Sequence, residues 1–170
     1  MQTILSTIAL LVIPVLMAFA ASSDLLTMRI SNRLVALVVA GFFAMALVVQ
    51  LPLEQVGMHL ACAALVLVVS FAFFAFGWIG GGDAKLVAAT TLWVGFGLML
   101  PYLVYASLLG GALTLLLLAM RRWPLPGRLA KVKWIDRLHD TKTGVPYGIA
   151  LSTAGLLVYS DTAIFRHFLA

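Results

Sequence analysis

Gly80-Gly81-Gly82-Asp83-Ala84-Lys85 lies between two long apolar segments of the chain. Lipid offers the backbone no hydrogen-bond partners, so a glycine triplet followed by a carboxylate is tolerated only near water or buried in protein. Three glycines also cost backbone entropy, and they allow another backbone to approach closely. We therefore treat Asp83 as a candidate for a functional site.

The composition predicts an integral membrane protein. Of 170 residues, 64% are hydrophobic and 10% are charged, and the mean hydropathy is +1.12. No water-soluble core of this size could bury so much apolar surface. The longest polar stretch, Arg121 to Thr143, is too short to bury a core of its own. We expect one membrane-embedded domain over residues 1–170, an all-α polytopic bundle of about six transmembrane helices.

Charges, prolines and polar residues divide the chain into apolar spans that can each cross roughly 30 Å of hydrocarbon with some tilt. The predicted spans are residues 3–22 with a kink at Pro14, 34–51, 56–78, 84–100, 101–120, and a last span that begins at Val145-Pro146 and fades between Asp161 and His167. No Lys or Arg precedes the first span, which is typical of a spanning helix rather than a removed signal peptide.

Two local features accompany these spans. A short polar connection, residues 23–33, separates the first span from the second. Gly95 and Gly97 in the fourth span would let a neighbouring helix approach closely.

The basic residues predict the orientation of the bundle. An even number of spans puts both termini on one side, and alternating the loops puts every Lys and Arg except Arg166 on the other side. By the positive-inside rule, the basic face is cytoplasmic and both termini are periplasmic. The same alternation puts Asp24 and Asp83 on the cytoplasmic face. The positive-inside rule explains the net charge of +5, so we reject nucleic acid as a partner.

Two carboxylates at the same depth suggest acid–base chemistry. When two such groups are close enough to share a proton, they cannot both ionise easily. The ionised member can then act as a general base on water while the protonated member polarises a carbonyl, as in aspartic proteases. The single cysteine, Cys62, excludes a disulfide framework and a cysteine-rich zinc site. We expect neither a metal nor another cofactor.

Each candidate residue also has a purely structural explanation. Asp24 and Asp83 could each cap a helix, where the helix dipole favours a carboxylate. Lys85 could be a snorkelling lysine at the membrane interface, and Arg29 could only determine topology. Tyr147 could be an interfacial aromatic residue, and Asn32 could cap the second span.

Three motifs together resemble those of the type IV prepilin peptidases, which are membrane aspartic proteases. Gly80-Gly81-Gly82-Asp83 matches the family's Gly-x-Gly-Asp signature and continues into the Asp-x-Lys-Leu pattern of the family. Asp24, followed by Arg29-Ile30-Ser31-Asn32, resembles the setting of the family's first catalytic aspartate. Val145-Pro146-Tyr147-Gly148-Ile149-Ala150 resembles the element that opens the last span. The three motifs occur in the family's order.

The resemblance implies catalytic roles for Asp24 and Asp83. The other residues that match the family's motifs, and would lie near the substrate, are Gly80, Gly81, Gly82, Lys85, Arg29, Asn32, Pro146, Tyr147 and Gly148. The substrate would be a prepilin or pseudopilin, cleaved after a glycine at the cytoplasmic face of the bacterial inner membrane. No cofactor is implied. Further partners would be membrane lipid and the pilus assembly machinery.

Larger members of this family carry a cytoplasmic insertion with paired Cys-x-x-Cys motifs, which this sequence does not contain. The resemblance is therefore to the small, peptidase-only branch of Flp-type (Tad) pilus systems, and it implies no N-methyltransferase activity. The residues alone leave two other functions open. One is an ion-coupled transporter whose aspartates carry protons. The other is a non-catalytic subunit of a pilus or secretion assembly.

Overall fold

The computed structural model describes the backbone of residues 2–169 and the side chains of residues 10–168. Over these residues the chain forms seven helices and no strand. The helices are α1 (Gln2–Thr27), α2 (Asn32–Val48), α3 (Leu53–Ala75), α4 (Gly81–Arg121), α5 (Lys133–His139), α6 (Gly148–Tyr159) and α7 (Ala163–Leu169). The predicted all-α fold class is confirmed.

Five of these helices are apolar, as expected for an all-helical membrane protein. α1 from Leu10 onward, α3 and α4 are long and apolar enough to cross a membrane. α2 and α6 are apolar but shorter, at 17 and 12 residues. α4 has 41 residues, and a straight helix of that length would measure about 60 Å, which is twice the thickness of a hydrocarbon core.

α4 avoids that length because it folds back on itself at Gly95. Gly95 has a φ of 64° and a ψ of −177°, well outside the helical region. The side chains of Thr90 and Tyr102 meet at one glycine of α6, and Asp83 lines the same cavity as Ser107. Residues far apart along α4 are therefore close in space. We describe α4 as two antiparallel halves, residues 81–94 and 96–121.

The turn at Gly95 corrects one predicted boundary. The sequence prediction ends the fourth span at residue 100, whereas Pro101 lies within the second half of α4. A Cβ on residue 95 would lie only 2.9 Å from Cε1 of His59 in α3, and Nδ1 of His59 donates a hydrogen bond to the carbonyl oxygen of Leu92 at 2.7 Å. The close approach expected at Gly95 is confirmed, whereas the space beside Gly97 is open.

The end of α1 also differs from the prediction. α1 continues to Thr27, so Asp24 lies in its last turn and not in a polar connection over residues 23–33. The hydroxyls of Ser22 and Thr27 donate to carbonyls one turn earlier in the same helix. This bonding satisfies the polar side chains within the helix. Only residues 28–31 connect α1 to α2.

Two short helices were not predicted. α5 lies in the segment expected to be a basic loop, and the last span ends at Tyr159 before a separate helix, α7. Hydrogen bonds fix α5 to its surroundings: Arg121 Nε donates to the carbonyl of Leu138 at 2.8 Å, and Arg137 donates to that of Leu26 at 3.0 Å. Such long-range side-chain bonds leave no periodic pattern in the sequence.

The first half of α4 forms the centre of the bundle. Every residue from Leu86 to Gly95 is buried, and α4 packs against α2, α3 and α6. The indole Nε1 of Trp93 donates to the carbonyl of Val38 in α2 at 2.9 Å, which fixes this half of α4 to α2. Because this half begins at Gly81, the core of the bundle also determines the position of Asp83.

Replacing Gly95 with alanine should destabilise the fold. The backbone conformation at residue 95 is essentially restricted to glycine, so Gly95→Ala should cost about 1–3 kcal/mol of unfolding free energy, and the contact with His59 should add to that loss. We expect the melting temperature of the detergent-solubilised protein to fall by about 5 °C. Gly97→Ala is the control, because no atom lies within 4 Å of its added Cβ. Equal melting temperatures for the two variants would contradict the turn at Gly95.

Candidate active site

Asp24 is held in the last turn of α1 by the first residue of α6. Only 5% of its surface is exposed, and its Oδ2 accepts a hydrogen bond from the backbone N–H of Gly148 at 2.7 Å. The free N–H groups at the start of a helix favour a carboxylate. A Cβ on Gly148 would lie 2.8 Å from this Oδ2, so the amide reaches Asp24 because residue 148 is glycine. Asp24 does not cap a helix of its own.

Asp83 is the third residue of α4, and Gly80 is the N-cap of that helix. The carboxylate of Asp83 reaches back to the backbone of Gly80, as in a capping box. A Cβ on Gly80 would lie 2.9 Å from Asp83 Oδ2. Asp83 therefore does cap α4, but it does so by reaching back to Gly80 and not as the N-cap residue itself. The hydroxyl of Ser70 in α3 donates to the carbonyl of Ala84 at 3.1 Å and fixes the first turn of α4.

The two aspartates meet at the same two cavities. One cavity, of about 470 Å³, is lined by Asp24, Asp83, the connection between α1 and α2, and the glycine triplet. The second, of about 720 Å³, is lined by both aspartates together with Ile79, Gly144 and Tyr147. The fold therefore brings Asp24 and Asp83 to the walls of two shared cavities, although 59 positions separate them in the sequence.

Ile30 brings the three sequence motifs together. A Cβ on Gly82 would lie 3.2 Å from Ile30 Cβ, and a Cβ on Gly148 would lie 2.8 Å from Ile30 Cδ1. Ile30 therefore packs against backbone from both the glycine triplet and the start of α6. The connection that carries it includes Met28 at a φ of 55°. Sequence reasoning did not single out Ile30, although it stands in the matched motif between Arg29 and Ser31.

Lys85, two residues after Asp83, bonds to Asn32 at the start of α2. Lys85 Nζ donates to Asn32 Oδ1 at 2.9 Å, so the start of α4 is bonded to the start of α2. The prediction that Asn32 caps α2 is wrong, because Ser31 is the N-cap and its hydroxyl accepts from the N–H of Leu34 at 3.2 Å. Arg29 is exposed and lines the 470 Å³ cavity.

Tyr147 lies beside Asp83 and contacts the second half of α4. Its hydroxyl donates to the carbonyl of Ala106 at 3.2 Å. Its ring packs against Gly110 so closely that a Cβ there would overlap the ring. Tyr147 is thus more than an interfacial aromatic residue, and the neighbouring Pro146 is fully buried. Sequence reasoning missed Gly110; the signal was a Gly-Gly pair in a leucine-rich helix.

The site combines two carboxylates of different exposure. Asp24 is buried and oriented by an amide, whereas Asp83 is partly exposed to the cavities. Among the described residues, no three His, Cys, Asp or Glu side chains come close enough together to hold a metal ion. The arrangement can bind and activate a water molecule by general acid–base chemistry, with one carboxylate on the water and the other on an electrophile.

The chain was compared with known protein families, curated proteins and solved structures. A family model described as the type IV leader peptidase family matches residues 11–115, which is more than half of the chain. The matched part contains Asp24, Asp83 and the glycine triplet, whereas Gly148 and Tyr147 lie beyond it. No curated protein and no solved structure gives a significant match.

Replacing Gly148 with alanine should displace Asp24. The added Cβ would overlap the Asp24 carboxylate and Ile30, and the lost hydrogen bond to a buried carboxylate should cost about 2 kcal/mol. We expect a lower melting temperature for Gly148→Ala. Gly144→Ala in the same segment is the control, because no atom lies within 4 Å of its Cβ. If Gly148→Ala is as stable as Gly144→Ala, the bond does not orient Asp24.

Proposed function

The chain belongs to the type IV leader peptidase family, and we propose that it is an aspartic endopeptidase that removes the leader peptide of Flp-type prepilins or pseudopilins. The observation that carries this proposal is the presence of Asp24 and Asp83 on the walls of the same two cavities. The family match covers both aspartates. In aspartic proteases, such a pair of carboxylates activates water for attack on the peptide bond.

The proposed reaction uses the two carboxylates in complementary protonation states. The ionised carboxylate takes a proton from water as the water oxygen attacks the carbonyl carbon of the scissile peptide bond. The protonated carboxylate donates its proton to the carbonyl oxygen, which gives a tetrahedral diol. The first carboxylate, now protonated, gives its proton to the peptide nitrogen, and the second, now ionised, takes a proton from a diol hydroxyl. The C–N bond then breaks and the carbonyl re-forms, which releases an amine and a carboxylic acid.

The substrate must open its backbone to react. A helical peptide has its carbonyls engaged in hydrogen bonds to amides four residues later, so the bond to be cleaved must first leave the helix. A glycine at the scissile position lowers the cost of this unwinding. Gly80, Gly81, Gly82 and Asp83 all line the 470 Å³ cavity, so an extended peptide in that cavity would lie beside Asp83.

We propose that the site faces the cytoplasm, that the membrane is the bacterial inner membrane, and that both termini are periplasmic. Every Lys and Arg except Arg166 belongs to the segments at the aspartate end by the alternation of the helices. Arg166 forms an ion pair with Asp161 at 3.0 Å. The basic end would contact anionic lipid, and the pilus assembly machinery is a further proposed partner.

We also propose that residues 1–170 form a single peptidase domain without methyltransferase activity. α6 lies outside the part matched by the family model, yet it packs against α1 and α4 and supplies the amide that bonds to Asp24. The matched part alone would leave that buried carboxylate without its partner, which is costly.

Asp24→Asn and Asp83→Asn should each lower leader cleavage at least about 100-fold, because an amide of the same shape cannot transfer the required protons. The assay is the gel shift of a Flp-type prepilin from the same genome, co-expressed with each variant at matched membrane levels. Asp136→Asn is the control, because Asp136 is exposed on α5 and away from the cavities. Full cleavage by either variant of the pair would refute the mechanism.

Gly110→Ala should reduce cleavage about tenfold or more, whereas Gly111→Ala should not. A Cβ on residue 110 would overlap the ring of Tyr147 and move it away from Asp83, while the space at residue 111 is open. A displacement of this kind near reacting groups can cost up to about 100-fold in rate. The same gel shift measures it. Equal activities would mean that the position of Tyr147 does not matter for cleavage.

A further inference from the structure

A third cavity, of about 380 Å³, lies between α3 and the second half of α4. Leu65, Val69 and Phe73 line it from α3, and Leu103, Ala106 and Ser107 line it from α4. Leu65 is 50% exposed and Val69 is 46% exposed, so the cavity opens sideways at the surface of the bundle that faces lipid. We call it the lateral cavity.

The lateral cavity ends at the candidate active site. Asp83 and Tyr147 line both the lateral cavity and the 720 Å³ cavity that also contains Asp24. Asp83 therefore lies where an apolar cavity, open at the outer surface of the bundle, adjoins a more polar cavity that Asp24 also lines. A peptide bond at this junction would have an apolar segment on one side and a polar segment on the other.

We propose that the lateral cavity binds the first apolar side chains that follow the scissile bond, and that these side chains enter from the bilayer between α3 and the second half of α4. This inference rests on the proposed peptidase function and adds the location of the subsite. The polar leader on the other side of the bond would then lie in the 720 Å³ cavity.

The polar groups of the lateral cavity favour this occupant. The hydroxyl of Ser70 donates to the carbonyl of Ala84, and that of Ser107 donates to the carbonyl of Leu103. Both hydroxyls are therefore already bonded and offer no free donor to a polar ligand. What remains is an apolar wall with one carboxylate, Asp83, at its end. Such a surface fits an apolar side chain attached to a peptide bond that Asp83 can reach.

The size of the cavity limits what enters it. Its 380 Å³ is near the lower end of the range for ligand pockets, about 300–1,000 Å³. A helix is about 10 Å across with its side chains, so the cavity accepts side chains from one face of a segment and not the whole helix. A charged or strongly polar side chain at that position would lose its hydration without a partner. The cavity should therefore select for apolar residues.

The test introduces larger side chains that fill the lateral cavity, and it pairs these variants with substrates whose side chains differ in size. Ser107→Phe projects a ring into the cavity from α4, and Val69→Phe does so from the opposite wall. Leu108→Phe is the control, because Leu108 is the next residue on α4, is 65% exposed and does not line the cavity. Each variant is co-expressed with two forms of the Flp-type prepilin, whose three residues after the scissile bond are all leucine or all alanine.

The expected result depends on the size of the substrate side chains. Ser107→Phe and Val69→Phe should cut the leucine substrate about 10- to 100-fold more slowly than wild type, and should cut the alanine substrate at nearly the wild-type rate. Leu108→Phe should cut both like wild type. If the wild type cuts neither the native nor either altered prepilin, the proposed function fails and this inference fails with it.

A different outcome overturns the inference alone. If the wild type cuts the prepilin, and the folded cavity variants slow the two substrates equally or not at all, the lateral cavity does not receive these side chains. Two variants on opposite walls keep the test decisive when one of them does not fold. Melting temperatures in detergent identify the folded variants.

Discussion

The hydrogen bond from the N–H of Gly148 to Asp24 Oδ2 joins two helices whose bonded residues are 124 positions apart in the sequence. A buried carboxylate without a partner would be costly enough to oppose folding. α1 and α6 must therefore associate in the one register that brings this amide to Asp24. That register also places Ile30 against Gly148 and Gly82, so the start of α4 is positioned by the same contact. This bond fixes Asp24 against α6, while the core contacts of α4 and the bond from Ser70 fix Asp83.

Glycine has a distinct role at each of three positions around the site. At Gly148 it lets an amide reach a carboxylate, at Gly82 it lets the α1–α2 connection pack against the start of α4, and at Gly110 it makes room for the ring of Tyr147. Each contact places backbone close to an atom that a Cβ would exclude. The site is thus built from side chains packed closely against glycine backbone more than from bonds between side chains.

Sequence reasoning identified the apolar segments, the all-α class and the residues that meet at the candidate site, because these depend on composition and on motifs such as Gly80 to Asp83. It placed the boundary between the fourth and fifth spans at Pro101 because proline is a local signal. The actual turn at Gly95 depends on His59 from another helix, and Gly110 matters only because Tyr147 packs there. Contacts of this kind are set by tertiary structure. A single sequence therefore shows the glycine but not the residue that packs against it.

The first half of α4 explains how a carboxylate can act at the level of the membrane. Residues 81–94 form a helix of about 20 Å, shorter than the roughly 30 Å hydrocarbon core. A membrane-embedded end of such a helix has free backbone groups, which the hydrocarbon region tolerates only in contact with protein or water. At Gly95 the imidazole of His59 covers the turn and bonds to Leu92. At Asp83 the end faces cavities. A short helix that is buried from Leu86 onward thus carries Asp83 near its N-terminus, beside these cavities.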